Sequence, residues 1–333
     1  MIEVSVTELR DVVGRELRAH GVADDDAAIL IDYIVDTESA GHRTHGLRRL
    51  TGMLTATAKT PPSGPVQIRR TSPGVIALDG CGRLGVVVAQ RCTDLAIDEA
   101  RLGGSAMVVA TGFRGSTGAL GYFTRQAALR GLVALMVASC ESGVAAEGGI
   151  DPALGTNPLA VSFPHDRTPI TLDMATSAVS YGTLQEMAAH GIPAPPSTVV
   201  DAAGRPSCDA RDALTGAQLP MAAHKGYGLA LLIELLAGPM IGGKAGRSAT
   251  PGSDGLVMVA TRVDHFRMPN EIAEETARLL AEIRAGRRRD PDEPIRIPGE
   301  RSEHARIAAE RSGRVLVDEL LWRDTRRRAE RDE

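Results

Sequence analysis

The stretch VIALDGCGRLGVVVAQRCTDLAIDEA, residues 75–100, decides how the fold is read. An apolar, β-branched run at 75–78 leads into Gly80-Cys81-Gly82-Arg83-Leu84-Gly85, and apolar residues at helical spacing follow over 86–100. Taken alone, this is the G-x-G-x-x-G turn of a dinucleotide-binding βαβ unit. Two features oppose that reading. The next strand, expected at 106–110, runs into Thr111-Gly112 with no Asp or Glu to take ribose hydroxyls, and about eighty residues of other structure precede the turn. The glycines are therefore read as serving a tight strand-to-helix connection, and the chain as an α/β protein of non-Rossmann type.

Working outward, residues 6–18 and 24–38 carry apolar side chains at helical spacing, with acidic groups at 24–26 where a helix N-terminus favours them. A polar, Pro-containing linker is expected at 60–72. Downstream, strands are expected at 106–110, 132–138, 159–163, 170–172 and 256–261, with helices at 86–100 and 119–129, which makes a mixed α/β domain. Residues 185–220, with Pro193, Pro195 and Pro196, read as an irregular surface excursion. Over 224–237, Leu229, Leu232, Ile233 and Leu236 share one helical stripe, stopped by Gly238 and Pro239. From 303 onward the pattern is a helix, a short strand at 315–317 and a charged tail helix ending RDTRRRAERDE, a solvated face. The resulting division is a helical N-terminal lobe at 1–72, an α/β domain at 73–255 and a C-terminal segment at 256–333.

With 333 residues, 43% hydrophobic and 24% charged, the chain has a globular composition. A net charge of −4 offers no field for nucleic acid or an anionic membrane. The opening residues lack the basic-then-apolar pattern of a secretory signal, and no apolar run approaches the ~20 residues that span a bilayer. Cys81, Cys92, Cys140 and Cys208 show no paired spacing, so neither a zinc knuckle nor a disulfide framework is expected. The expectation is a cytoplasmic protein with a small-molecule substrate and no nucleic-acid or membrane partner.

Chemistry concentrates in GHRTHGLRR, residues 41–49, which holds two imidazoles, a hydroxyl and three guanidinium groups. Histidine suits proton transfer near neutral pH, and arginine clamps carboxylates. Glu38, His42 and His45 also have the spacing of a metal triad on one helical face. Gly41 and Gly46 break that helix, so no metal is assigned.

THGLRR (44–49) resembles the S-H-G-x-x-R signature of the malate/L-lactate dehydrogenase-like oxidoreductases, with Thr44 standing for the serine. GTNPLAVSFP (155–164), LDMATSAVSYG (172–182), HKGYGLALLIELLAG (224–238) and IRIPGE (295–300) are similar to the family's other landmarks, in the same order. The resemblance implies a mixed-sheet, non-Rossmann nicotinamide-binding domain between a helical lobe and C-terminal helices. It also implies an enzyme using NAD or NADP on 2-keto and 2-hydroxy acids or cyclic imino acids, and a homodimer with sites near the subunit interface. His45 then exchanges the proton, and Arg49 contacts the substrate carboxylate beside Thr44. The cofactor falls against Asp173, Met174, Ala175, Thr176, Ser177, Ala178 and Val179, against His224, Lys225 and Gly226, and against Pro298, Gly299 and Glu300. Small side chains and backbone N–H groups after a strand, and a lysine at a helix start, suit a pyrophosphate.

The chain departs from this pattern at four places. Ser116 stands where the family carries a second histidine, Met53 where it carries a tyrosine and Thr183 where it carries a lysine or similar residue, and the loop between 238 and 256 is short. Ser116 can donate a hydrogen bond but cannot shuttle protons near pH 7. One alternative is a diverged relative that keeps the nucleotide pocket and has altered or lost redox chemistry; another is a metal-dependent hydrolase built on Glu38, His42 and His45.

Overall fold

The computed structural model describes residues 1–59, 61–166, 168–250 and 254–331. Thr60 of the expected linker, Asp332 and Glu333 of the tail, and residues 251–253 of the short loop lie outside the described residues.

The N-terminal helices start where the sequence marks them. Ser5 caps Val6–Ala19 by accepting the Glu8 N–H at 3.0 Å, and Asp24–Ser39 opens with three aspartates in its first turn. Their apolar faces bury Leu9, Leu17, Leu30, Tyr33 and Ile34 in the main core. The strand Ile2–Ser5 pairs antiparallel with Arg314–Val317, which brings the end of the chain back onto its beginning. Arg306 of the helix Glu300–Ser312 clamps Asp36 through contacts of 2.9–3.1 Å and reaches Glu303 at 2.6 Å. Such half-buried bidentate pairs fix geometry as well as adding stability.

Among the described residues, seven strands form the central sheet, in the order Gln67–Ser72, Val75–Asp79, Ser105–Thr111, Leu256–Arg262, Leu132–Ala138, Leu159–Phe163, Ile170–Met174. Only Val75–Asp79 and Ser105–Thr111 run parallel, joined over the helix Gly85–Gly103; every other neighbouring pair is antiparallel. A single βαβ unit is thus embedded in a mixed sheet, whereas the Rossmann order requires parallel strands throughout. Leu256–Arg262, placed by sequence at the start of the C-terminal segment, lies at the sheet's centre, and Gln67–Ser72 forms one edge.

Protein contacts hold the glycine turn, which borders a cavity of about 230 Å3 lined by Gly82, Arg83, Leu84 and Arg114 among others. Cys81 and Gly82 adopt positive φ, the Arg114 Nε donates to Gly82 O at 2.7 Å, and Arg83 meets Asp26 at 3.1 Å. A Cβ on Gly85 would come within 2.8 Å of Ser116 O, so glycine is needed there for close backbone approach.

Several elements escaped the sequence reading. Residues expected to be irregular include the end of a helix, Tyr181–His190, capped by Ser180 and closed by Gly191 in the left-handed region. They also contribute to a second, five-stranded sheet of Pro206–Ser207, Val199–Val200, Ala217–Gln218, Val144–Ala145 and Pro152–Leu154. Strands this short carry no period-2 signal. Helices Leu50–Lys59 and Pro269–Arg284 were also not anticipated; the latter buries only Leu280. The helix His224–Ala237 forms with the bounds read from sequence, but its apolar stripe is not its buried face. Ile233 is buried, but Leu232 and Leu236 are exposed, and the buried face is instead Gly226, Ala230, Ile233, Glu234 and Ala237.

Candidate active site

The helix Asp24–Ser39 ends at Gly41, whose φ of 77° turns the chain into the loop carrying His42, Thr44 and His45. Three contacts shape that loop. The buried Glu38 carboxylate accepts the Leu47 N–H at 2.7 Å, Thr44 Oγ1 lies 2.9 Å from His45 Nδ1, and Arg49 Nε donates to Thr44 O at 3.0 Å. The sequence triad Glu38, His42 and His45 does not converge, since each has a different partner; His42 Nε2 lies 3.1 Å from Ser302 Oγ. Among the described residues no group of three or more His, Cys, Asp or Glu is placed to hold a metal.

Burial, with the adjacent Arg49 and His42, lowers the His45 pKa to about 4, below the range near neutrality expected from sequence. Its imidazole is therefore neutral at pH 7 in the free protein. Burial likewise lowers His42, and burial raises Glu38 to about 7 against the opposing Leu47 N–H. The Arg49 guanidinium lies against the start of the helix Tyr181–His190, where a Cβ on Gly182 would come within 3.0 Å of its Nη2 and 3.2 Å of Thr44 Cβ.

The three segments expected to hold the dinucleotide meet around one strand. Ile170–Met174 is an edge of the sheet; Thr171 N donates to Pro298 O at 3.2 Å, and a Cβ on Gly299 would press on the Thr171 backbone at 3.0 Å. Past Met174, Met221 N donates to Thr176 O and Ala178 N to Leu219 O, each at 2.9 Å, and Ser177 bridges Pro220. That pairing sets the turn at 175–178 beside the start of the helix His224–Ala237. Ala222 and Ala223 there take positive φ, and Gly226 lies under Met221 with no room for a Cβ.

Most hydroxyls of the turn are already engaged: Thr176 Oγ1 donates to Thr156 O at 3.0 Å, and Ser177 Oγ to Val179 O at 2.7 Å. What remains to face a ligand is backbone and small side chains, with Lys225 exposed and its ammonium unbonded among the described residues. The Glu300 carboxylate accepts the Ile297 N–H at 2.9 Å, which holds it below the usual carboxylate range.

A cavity of about 260 Å3 opens between these parts, walled by His42, Asp173, Pro298, Gly299, Arg301 and Tyr122 among others. Neither His45 nor Lys225 is part of its wall. Asp173 accepts the Gly121 N–H at 2.8 Å, and burial raises its pKa to about 6. Ser116 Oγ accepts the Gly118 N–H at 3.0 Å, so its hydroxyl serves its own loop. Sequence reasoning missed two supports, His42 in the cavity wall and Tyr33. The fully buried Tyr33 hydroxyl accepts the Ala119 N–H at 2.7 Å, while its ring meets Tyr122 and Phe123 at centroid distances of 5.2 and 5.9 Å. A tyrosine inside an apolar helix face announces the need for a partner, but nothing local points to one 86 positions away.

Comparison with known proteins places this arrangement. The model of the malate/L-lactate dehydrogenase family matches residues 4–325. The L-sulfolactate dehydrogenase of Methanothermobacter thermautotrophicus is 31% identical over 333 residues, covering 96% of this chain and 94% of the relative. The Delta(1)-pyrroline-2-carboxylate/Delta(1)-piperideine-2-carboxylate reductase of Pseudomonas aeruginosa is 31% identical over 338 residues, covering 97% and 98%. Among solved structures, the delta1-piperideine-2-carboxylate reductase of Pseudomonas syringae superposes with a TM-score of 0.86 at 26% identity, over 98% of this chain and 99% of that one. The chain belongs to the malate/L-lactate dehydrogenase family and is an oxidoreductase enzyme.

Proposed function

We propose that the enzyme transfers a hydride between NAD or NADP and a small 2-oxo or 2-hydroxy acid, or a cyclic imino acid, with His45 exchanging the proton and Arg49 holding the carboxylate. The observation that carries this reading is the Thr44, His45 and Arg49 cluster. In the tautomer whose Nδ1–H donates to the Thr44 hydroxyl, His45 Nε2 keeps its lone pair and can take the hydroxyl proton of a 2-hydroxy acid. Arg49 uses Nε on Thr44 O and leaves its terminal nitrogens for a carboxylate, the bidentate geometry arginine favours. A bound carboxylate neutralises Arg49 and so favours the protonated His45 needed to reduce a carbonyl or imine.

A nicotinamide dinucleotide, when bound, would accept the hydride from C2 of the hydroxy acid or supply it to C2 of the oxo acid or imine. The residues fit such a group. Asp173, Pro298 and Gly299 line the cavity, Met174, Ala175 and Ala178 follow at the exit of the strand, and Lys225, without an ion pair among the described residues, is an exposed cation beside the turn 175–178. Thr176, Ser177, Val179, His224, Gly226 and Glu300 complete the proposed cofactor contacts, and the Ser116 hydroxyl holds its own loop through the Gly118 N–H.

The same reading includes a homodimer, supported by the outer face of His224–Ala237, where Leu232 is 59% and Leu235 49% exposed. It also includes a reducing, cytoplasmic setting, supported by four cysteines without paired spacing. Among the described residues no helix is long and apolar enough to cross a membrane. Reduced-nicotinamide absorbance followed with a panel of 2-oxo acids and cyclic imines tests the proposal. Protein that turns over none of them with either dinucleotide refutes it.

A further inference from the structure

The Gly80–Gly85 turn has the sequence of a phosphate cradle, yet its own backbone cannot serve as one. The Cys81 N–H donates to the Asp79 carboxylate at 2.8 Å, Gly82 N–H to Gly112 O at 2.7 Å, Arg83 N–H to Gly80 O at 3.0 Å and Gly85 N–H to Arg114 O at 2.8 Å. The turn seats a guanidinium instead. Gly82, at a φ of 76°, leaves room for Arg114, since a Cβ there would come within 2.7 Å of Nη2. Arg114 donates from Nε and Nη2 to Gly82 O, and from Nη1 to Ala56 O at 3.3 Å. Each terminal nitrogen of a guanidinium carries two N–H groups, and here each spends one, so a pair of donors is left over.

The cavity of about 230 Å3 beside the turn is walled by Arg114, Arg83, Asp26 and Thr57 among others, and it shares no lining residue with the cavity that holds Asp173. At roughly 30 Å3 per water, it exceeds one solvent molecule several times over. Its charged wall residues are two arginines and one aspartate. Arg83 is answered by Asp26 at 3.1 Å and also donates to Gly64 O. Among the described residues no carboxylate pairs with Arg114, and burial lowers its pKa with no charged neighbour to oppose the effect. The wall thus carries one positive charge in excess, held in place by neutral carbonyls.

We infer that this cavity is a second ligand site, which takes the oxyanion group of a small molecule, phosphate or carboxylate, on the two spare Arg114 N–H groups. Arginine's planar fork matches two oxygens of such a group, and its fixed seat leaves little rotamer freedom to lose on binding. None of Thr44, His45, Arg49 or Lys225 lines the cavity, so the site stands independently of the redox reading.

Calorimetric titration of the full-length protein with inorganic phosphate, glycerol 3-phosphate and acetate, at constant ionic strength in chloride, tests the site. Wild type should bind phosphate or acetate saturably, and Arg114→Gln should weaken that ligand about tenfold, the loss of one charge-assisted contact. Glycerol 3-phosphate binding alongside phosphate identifies a phosphorylated small molecule as the occupant, and acetate alone identifies a carboxylate. No saturable binding of any of the three, or equal affinity in Arg114→Gln, overturns the inference. Because Arg114 also holds the turn, Asp26→Asn decides the matter if Arg114→Gln does not fold. It releases Arg83 from its carboxylate and should tighten the anion about threefold or more; unchanged or weaker affinity overturns the inference. Arg49→Lys and Lys225→Ala, both in the proposed redox site, should leave the anion's affinity as it is, and weakening in either assigns the anion to that site and overturns the inference as well.

Discussion

Glu38 and Leu47 close the loop that carries His45: the carboxylate Oε1 accepts the Leu47 N–H at 2.7 Å across nine positions of chain. A Cβ on Gly46 would come within 2.2 Å of that oxygen, so the carboxylate and the glycine are fitted to each other. Glu38 titrates at about 7, raised by burial, against an ordinary value of 4.5. A raised folded pKa means that the protonated form is favoured in the fold. The associated stability is complete below about pH 4.5 and is lost as pH rises through about 7.

Glu38→Gln keeps an oxygen acceptor for Leu47 and removes the titration. The variant should therefore melt above wild type at pH 8, and the gap should shrink or reverse by pH 5. Melting curves at the two values check this. A gap independent of pH means that Glu38 does not ionise in this window.

How much of this was legible beforehand depends on the range of the interaction. The long helices and the strands at 132–138 and 159–163 follow from local periodicity and were read with nearly their observed bounds. The motif at 75–85 was separable from a Rossmann turn because no acidic residue follows the next strand. Its physical cause, Arg114 lying on Gly82 and Ser116 O under Gly85, is non-local. His45 and Arg49 stand out by residue type. Glu38 as a staple, His42 in the cavity wall and Tyr33 as the anchor of Ala119 depend on contacts that appear only once the loop, the glycine-rich segment and the C-terminal helix have met. The exposure of Leu232 and Leu236 was not legible for a related reason: an apolar helix stripe looks the same whether it faces the core or the surface.

Among the described residues Lys225 has no side-chain partner, and it stands beside the turn 175–178. Lys225→Ala should weaken nicotinamide binding about tenfold or more, the size of a lost charge-assisted contact of about 1.5–3 kcal/mol. Fluorescence titration of the reduced dinucleotide measures it. Unchanged affinity at a normal melting temperature removes Lys225 from the cofactor site.

The outer face of His224–Ala237 shows Leu231, Leu232, Leu235 and Leu236 to solvent, an expensive display for an isolated chain. Light scattering of the wild type at micromolar concentration should give the mass of two chains. Leu232→Asp with Leu235→Asp should yield a monomer with unaltered far-UV circular dichroism. A wild-type monomer, or a double variant that still dimerises, places the subunit contact elsewhere or nowhere.

The mechanism stands on His45, whose environment makes a specific claim about pH. Its pKa, lowered to about 4 by burial and by Arg49, leaves the imidazole neutral over the whole physiological range. In the oxidation direction the neutral form is the active base. Then kcat/KM for a 2-hydroxy acid should be limited by His45 only as pH falls towards 4, and a neutral-range limb from this histidine should be missing. Reduction needs the proton already in place, so its dependence on His45 should appear after substrate has covered the Arg49 charge. It should then show in kcat, at a pH higher than the free-enzyme value. His45→Ala should lower kcat by about two to four powers of ten in both directions, the usual contribution of a general acid or base. Nicotinamide affinity should hardly change, because the three segments around the strand Ile170–Met174 do not include this loop. The acid limb of the wild-type oxidation profile should be absent from the residual activity of the variant. Should His45→Ala turn over as fast as wild type, the proton comes from another group; His42, in the wall of the same cavity as Asp173, is then the first residue to replace.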